Sequence, residues 1–190
     1  MRSALLLLIV CLAGPAAIVN LMADSADDAT GNTALSSYLD ESYRVEDRVV
    51  IGGQPSAQAL EALQAEGFTT VINFRTQPEV EGLSFDEPAV LAEAGVDYHQ
   101  IGVGRGEGAY NPEVLEAFAA RMDAAGEDQI LLHCGSGYRA SQVYAAWLVK
   151  YRGLSPDEAL ERVAPSGWWP MPMEQLLGQP LSVSVKEEDA

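Results

Sequence analysis

The stretch Ile130-Leu131-Leu132-His133-Cys134-Gly135-Ser136-Gly137-Tyr138-Arg139-Ala140-Ser141 constrains this chain more than any other, because it forces a strand, a tight loop and a helix into immediate succession. Ile130 to Leu132 is an apolar run suited to a buried strand, and the residues from Ala140 to Tyr151 carry the apolar face of a helix. Gly135 and Gly137 let the backbone turn sharply and aim successive N–H groups inward. The helix that begins near Arg139 adds unpaired N–H groups and the positive end of its dipole. The product is a cradle for an anion. Cys134 stands at its mouth, where the amides, the helix end and the Arg139 guanidinium favour thiolate over thiol, against an ordinary cysteine pKa of about 8.5. Arg139 can grip two oxygens of a tetrahedral anion in a planar fork. Cys134 and Arg139 are therefore the candidate catalytic pair, and Gly135, Ser136, Gly137, Tyr138 and Arg139 the candidate substrate-binding residues. A free cysteine is most often a small buried apolar residue. An inert thiol, however, needs neither a glycine-rich turn nor a following arginine.

The same alternation runs through the rest of the chain. Arg48 to Ile51 has strand character ended by Gly52-Gly53, and Ser56 can cap a helix with Leu60 and Leu63 inward and Gly67 at its stop. Thr69 to Phe74 is a β-branched, apolar strand. Pro88 suits the first turn of a helix that buries Val90 and Leu91 and ends at Gly95, and Val96 to Ile101 gives another strand. Asn111-Pro112 opens a helix holding Val114, Leu115, Phe118 and Met122, stopped by Gly126, and Ser155-Pro156-Asp157-Glu158 is a capping box. Strands alternating with helices predict an α/β protein, a three-layer sandwich with a mostly parallel central sheet and helices on both faces. Ligands in such folds bind beyond the carboxyl ends of the strands, which gathers Arg75, the Gly102 to Tyr110 loop and Cys134 at one edge.

With 190 residues, 48% of them hydrophobic, the chain can build one sizeable core. Its net charge of −17 argues against nucleic acid and anionic membrane surfaces as partners. An anion site must then supply its own positive charge, from Arg139, Arg75 and Arg105. Arg2, the apolar run from Ala4 to Ala13 and Gly14-Pro15-Ala16-Ala17 follow the order of a secretory signal, so residues 1–23 are expected to direct export, to the periplasm or beyond. The alternative is an uncleaved anchor, since no charge occurs from Ser3 to Ala23, and only then is a membrane a partner. Residues 24–42 are acidic and small and are expected to be a flexible lead-in, 43–178 the domain and 179–190 a tail. Of the two cysteines, Cys11 and Cys134, signal removal leaves one, so no disulfide framework is expected.

Beyond these patterns, Gly52-Gly53-Gln54-Pro55-Ser56, Thr70-Val71-Ile72-Asn73-Phe74-Arg75 with Glu79, Asp97-Tyr98-His99-Gln100-Ile101 and the short Cys-to-Arg loop resemble a bacterial family. It is the phosphatase-like family named beta-lactamase hydrolase-like, related to the dual-specificity members of the protein tyrosine phosphatase superfamily. The resemblance runs from about Tyr43 to Leu177. It implies a phosphatase-like fold and hydrolysis of phosphomonoesters, phosphotyrosine and other aryl phosphates among them, through a cysteinyl-phosphate, with a phosphorylated substrate as partner and neither cofactor nor metal.

Two departures leave alternatives open. Cysteine-dependent phosphatases usually place five residues between Cys and Arg, whereas four stand here, Gly135 to Tyr138. That length is similar to the loop of rhodanese-like sulfurtransferases, which keeps sulfur transfer through a Cys134 persulfide as an alternative. Related phosphatases also carry an Asp on the loop after the third strand to protonate the leaving oxygen. Arg105 stands at that place, and Glu107 is the nearest carboxylate and the candidate acid. If Glu107 is only a solvated loop charge, the domain is either selective for good leaving groups or an inactive anion-binding module. His133 is expected to point away from the pocket and fix the loop by hydrogen bonds. Ser141 would assist thiolate departure if the helix turned it inward, although the resemblance puts Ser or Thr where Ala140 stands. Arg75 either pairs with Glu79 or contacts substrate. His99 reads as a partly buried strand residue rather than a metal ligand, and Trp168 to Met173 as packing or as a pocket rim.

Overall fold

The computed structural model describes residues 30–104, 109–163 and 170–181. Among them, strands β1 (Tyr43–Glu46), β2 (Val49–Gly52), β3 (Phe68–Asn73), β4 (Asp97–Gln100) and β5 (Gln129–His133) form one sheet in the order β1-β2-β5-β3-β4. β2, β5, β3 and β4 are mutually parallel, and β1 runs antiparallel to β2. Asp47 and Arg48 are the whole β1–β2 connection, too short for anything but a hairpin. β5 lies at the centre of the sheet, and its Ile130, Leu131 and Leu132 are each 0% exposed. That is why it reads as an unbroken apolar run: both of its faces are covered.

The helices are α1 (residues 30–40), α2 (Ala57–Glu61), α3 (Gln77–Glu81), α4 (Glu87–Glu93), α5 (Pro112–Ala125), α6 (Tyr138–Arg152), α7 (Pro156–Arg162) and α8 (Pro170–Leu177). Alternate residues of the strands face opposite layers. Val49, Ile51, Ile72, Ile130 and Leu132 pack with Phe118, Val143 and Trp147 of α5 and α6, while Val50, Val71 and Leu131 pack with Leu35, Leu60, Leu63 and Leu91 of the other layer. In the first layer the Phe74 and Phe118 rings lie 5.6 Å apart and Tyr144 stacks on Trp147 at 5.5 Å. The three-layer α/β architecture is the one the sequence predicts. The local capping signals of the sequence are formed as well: Ser56 accepts from the Ala59 N–H at 3.2 Å, Asn111 accepts from the Val114 N–H at 3.0 Å, and Ser155 and Glu158 form a reciprocal box.

The expected flexible lead-in is corrected. Residues 30–40 are helical, Leu35 is 1% exposed inside the second core layer, and the Tyr38 hydroxyl donates to the Gly53 carbonyl at 3.0 Å. Ala34, Leu35, Tyr38 and Leu39 form a narrow apolar stripe at helical spacing, and the acidic residues before it obscure the pattern. The folded unit thus starts before Tyr43. Leu35→Ala is expected to lower stability by about 2–5 kcal/mol in urea denaturation, whereas a loosely attached lead-in would leave the midpoint unmoved. Among the described residues no helix is long and apolar enough to cross a membrane. The segment 1–23, with its signal or anchor reading, lies outside the described residues.

Candidate active site

The loop after β5 owes its shape to glycines on both sides. Gly137 has φ +85°, a left-handed conformation, and a Cβ there would stand 3.3 Å from the Gly52 carbonyl oxygen. Gly53 pairs with Ser136 in an isolated antiparallel bridge. The Gly52-Gly53 pair at the end of β2 is therefore the surface on which the Cys134–Arg139 loop lies. α6 then begins at Gly137 without a side-chain cap, unlike α2, α5 and α7. The first N–H groups of a helix have no partner within it, and a helix start of this kind suits an anion.

Cys134 is 1% exposed, between this loop and the first core layer. Arg139 is held on one edge. Its Nη1 donates to the Val103 carbonyl at 2.7 Å and the Phe74 carbonyl at 3.3 Å, and Nη1 and Nη2 each reach a carboxylate oxygen of Glu79 at 2.7 Å. The Nε–H and the second Nη2–H form another edge of the guanidinium, the geometry that suits an oxyanion, and the guanidinium also reaches Cys134. Glu79 is itself aimed by the start of α3, where its Oε2 accepts from the Thr76 N–H and hydroxyl, both at 2.9 Å. The Arg139 hydrogen bonds, aided by Thr76 and opposed by burial, lower the Glu79 carboxyl from 4.5 to about 2. The same pair, chiefly, holds Arg139 more firmly protonated than a free arginine.

Of the two alternatives for Arg75, pairing with Glu79 or contact with substrate, the structure shows a pairing with Glu79, but with its main chain rather than its carboxylate. Arg75 donates from Nη2 to the Glu79 main-chain oxygen at 3.0 Å and from Nη1 to Gln54 Oε1 at 2.6 Å. The fold brings Arg139, sixty positions away in sequence, onto the carboxylate. Because the folded pKa of Glu79 lies below its unfolded value, its stabilising contribution is complete above pH 4.5 and is lost as the pH falls toward 2. Glu79→Gln is accordingly expected to be less stable than the parent at neutral pH, with the gap closing between pH 4.5 and 2 in acid-unfolding curves.

His133 faces away from the cleft, as expected. It is 0% exposed, and its Nε2 lies 2.7 Å from Oε1 of Glu87, also 0% exposed. Oε2 of Glu87 accepts from Asn73 Nδ2 at 3.0 Å and Gln54 Nε2 at 3.4 Å, and Asn73 Nδ2 also donates to the Tyr98 hydroxyl at 3.2 Å. Sequence reasoning missed Glu87, whose position just before Pro88 marks only a helix start. Ser141 is a second correction. Its hydroxyl donates back to the Gly137 carbonyl at 3.1 Å, which uses its one O–H, so the side chain is turned to its own helix rather than to the sulfur. Glu107 and Arg105 lie outside the described residues.

A cleft of about 650 Å³ opens over the loop, lined by Gly135, Ser136 and Arg139 and by Tyr110, Tyr138 and Pro172. Burial, and next the neighbouring Tyr138, push the Tyr110 phenol up to about 12, so it stays protonated at working pH. Pro172 rims this cleft while Met173, 0% exposed, packs into the core, so the Trp168 to Met173 motif does both things in its described part; Trp168 and Trp169 lie outside the described residues. His99 is half-buried, and burial, followed by Arg121, lowers its pKa. Among the described residues, no three His, Cys, Asp or Glu side chains gather as a metal site.

The model of the family described as "Beta-lactamase hydrolase-like protein, phosphatase-like domain" matches residues 41–149, more than half of the chain. The chain belongs to this family. A beta-lactamase hydrolase-like protein of Agrobacterium fabrum (strain C58 / ATCC 33970) is 32% identical over 110 residues, which are 55% of this chain and 24% of that protein. The chain thus spans about a quarter of the length of that curated relative. Among solved structures, PTPMT1 in complex with PI(5)P superposes with a TM-score of 0.60 at 24% identity, covering 73% of this chain and 94% of the other. Tk-PTP in its active form gives a TM-score of 0.58 at 24% identity over 73% and 94%, and P. aeruginosa TpbA in complex with pTyr gives 0.52 at 23% over 73% and 82%. At these identities the likenesses establish the fold, that of the tyrosine and dual-specificity phosphatases. Family and fold together make this beta-lactamase hydrolase-like domain a phosphatase-like enzyme.

Proposed function

We propose that the domain hydrolyses phosphomonoesters through a covalent cysteinyl-phosphate on Cys134. The observation that carries this reading is the Arg139 fork, fixed by Glu79 beside the uncapped start of α6, with Cys134 at the other end of the same loop. In the first step the Cys134 thiolate attacks phosphorus, an Sγ–P bond forms, and the P–O bond to the leaving group breaks. The loop amides and Arg139 hold the equatorial oxygens, whose charge grows in the transition state. The leaving oxygen takes a proton, for which Glu107 is the proposed donor. In the second step water attacks phosphorus and gives a proton to the Glu107 carboxylate, the Sγ–P bond breaks, and inorganic phosphate, the thiolate and the protonated acid are restored.

Two tyrosines and a proline line the cleft, and this supports aryl phosphates as substrates. A ring can lie against such walls, and a phenolate leaves with less help from an acid than an alkoxide. pTyr in the TpbA complex fits this reading, whereas PI(5)P in the PTPMT1 complex is an alkyl phosphate. The proposal also places the enzyme outside the cytoplasm, on the strength of the signal-like order of residues 1–23.

The test is phosphate release from p-nitrophenyl phosphate and from glycerol phosphate, with sulfur transfer from thiosulfate to cyanide run beside it. The aryl ester is expected to be the faster substrate. Glu107→Gln is expected to slow the alkyl ester by about 10²- to 10⁴-fold and the nitrophenyl ester far less, because only the poor leaving group depends on the acid. Cys134-dependent sulfur transfer in place of phosphate release would replace this reading with the sulfurtransferase one.

A further inference from the structure

We infer that Glu87 is a positioning residue for the catalytic loop, setting both Cys134 and Arg139 through two separate arms, one a close carboxylate–imidazole contact and the other a chain of hydrogen bonds. This rests on the phosphatase reading. The first arm runs from Glu87 Oε1 to His133 Nε2 at 2.7 Å, and His133 is the residue before Cys134. The second runs from Glu87 Oε2 to Gln54 Nε2 at 3.4 Å, from Gln54 Oε1 to Arg75 Nη1 at 2.6 Å, and from Arg75 Nη2 to the Glu79 carbonyl at 3.0 Å. The Glu79 carboxylate then grips Arg139.

What sets this network apart is where its members sit. Gln54 follows β2, Asn73 ends β3 and His133 ends β5, so one carboxylate ties together the tips of three neighbouring parallel strands at the level where the loop departs. Register agrees, since Gly52 and Asn73 are the residues opposite His133 on either side. Glu87 and His133 are both 0% exposed. Apolar residues of similar volume commonly serve stability as well as a buried pair of this kind, or better. A device for fixing geometry accounts for burying these polar groups where a device for stability does not. Displacing a reacting group by about 1 Å costs about 100-fold in rate, so the arms have a large effect to exert.

The experiment measures kcat and KM for p-nitrophenyl phosphate, and melting temperature, in the full chain, Glu87→Gln, His133→Gln, their double variant and Leu63→Ala. Leu63 lies in the other core layer and serves as the stability control. Glu87→Gln is expected to lower kcat by about 100-fold with little change in KM, and the double variant to fall no further than the worse single, because the residues act in series. Glu87→Asp, which keeps the carboxylate, is expected to regain at least part of the loss. Leu63→Ala is expected to melt earlier with kcat intact. If Glu87→Gln melts earlier but retains kcat, the inference is overturned. Should Glu87→Gln fail to fold, Gln54→Leu cuts the second arm alone, and a loss of about tenfold in kcat supports the inference while an unchanged kcat overturns it. If the parent hydrolyses no phosphomonoester, the phosphatase reading fails by itself, and tungstate affinity by calorimetry then decides. Weaker binding in Glu87→Gln supports the positioning role, equal binding overturns it, and a parent that binds no tungstate sinks both.

Discussion

Cys134→Ser is expected to abolish turnover, by about 10⁴- to 10⁶-fold, while leaving the fold and oxyanion binding in place. The two halves of this expectation have different causes. Turnover needs an ionised nucleophile, and a serine hydroxyl at the same place has no adjacent base to take its proton: His133 faces Glu87 and the Ser141 hydroxyl faces Gly137. Binding needs the loop amides and the Arg139 fork, and neither depends on sulfur. The side chain is 1% exposed and serine is slightly smaller, so no clash arises. Steady-state hydrolysis of p-nitrophenyl phosphate and calorimetry with tungstate read the two halves separately. Hydrolysis that persists in Cys134→Ser would sink the covalent route. Turnover and binding lost together would mean that the thiol holds the loop up rather than attacking phosphorus.

Arg139→Lys is the second large effect, expected to cost about 10²- to 10³-fold in kcat and about 1–3 kcal/mol in stability. Charge is conserved, so a simple electrostatic account predicts little change. The guanidinium, however, meets the Val103 and Phe74 carbonyls and both oxygens of Glu79 with one edge while keeping another for the anion. A lysine ammonium is a point with three donors and cannot span these positions. Either the carbonyls and Glu79 are left short of donors or the substrate is. Urea midpoints and kcat, measured on one preparation, separate the two losses. A lysine variant with parental kcat would show that Arg139 only supports the loop and does not stabilise the transition state.

How far these residues could be read from sequence depends on the range of the interaction. Ser56, Asn111 and the Ser155–Glu158 box are local devices, complete within four residues, and they were legible. The β5–loop–α6 stretch was legible for the same reason, since its strand, glycines and arginine are contiguous. Glu79 shows the limit. Its i−4 neighbour Arg75 was the obvious partner, yet its carboxylate crosses to Arg139, because parallel strands β3 and β5 bring distant loops to one edge. Glu87 was invisible as a site residue: a buried carboxylate announces itself only once its His133, Asn73 and Gln54 partners converge. α1 does not show in the sequence because Leu35 and Tyr38 supply too narrow a stripe to stand out beside Asp24, Asp27 and Asp28. In each case the missing information was tertiary.

The clamp on Arg139 has a thermodynamic consequence. A long flexible side chain gives up to about 2 kcal/mol of rotamer entropy when it is immobilised. Here Glu79 and two carbonyls, all groups of the protein itself, hold the guanidinium in place. A tetrahedral guest therefore docks onto a stiff receptor without having to freeze an arginine, and discrimination among oxyanions falls to shape complementarity instead of induced ordering.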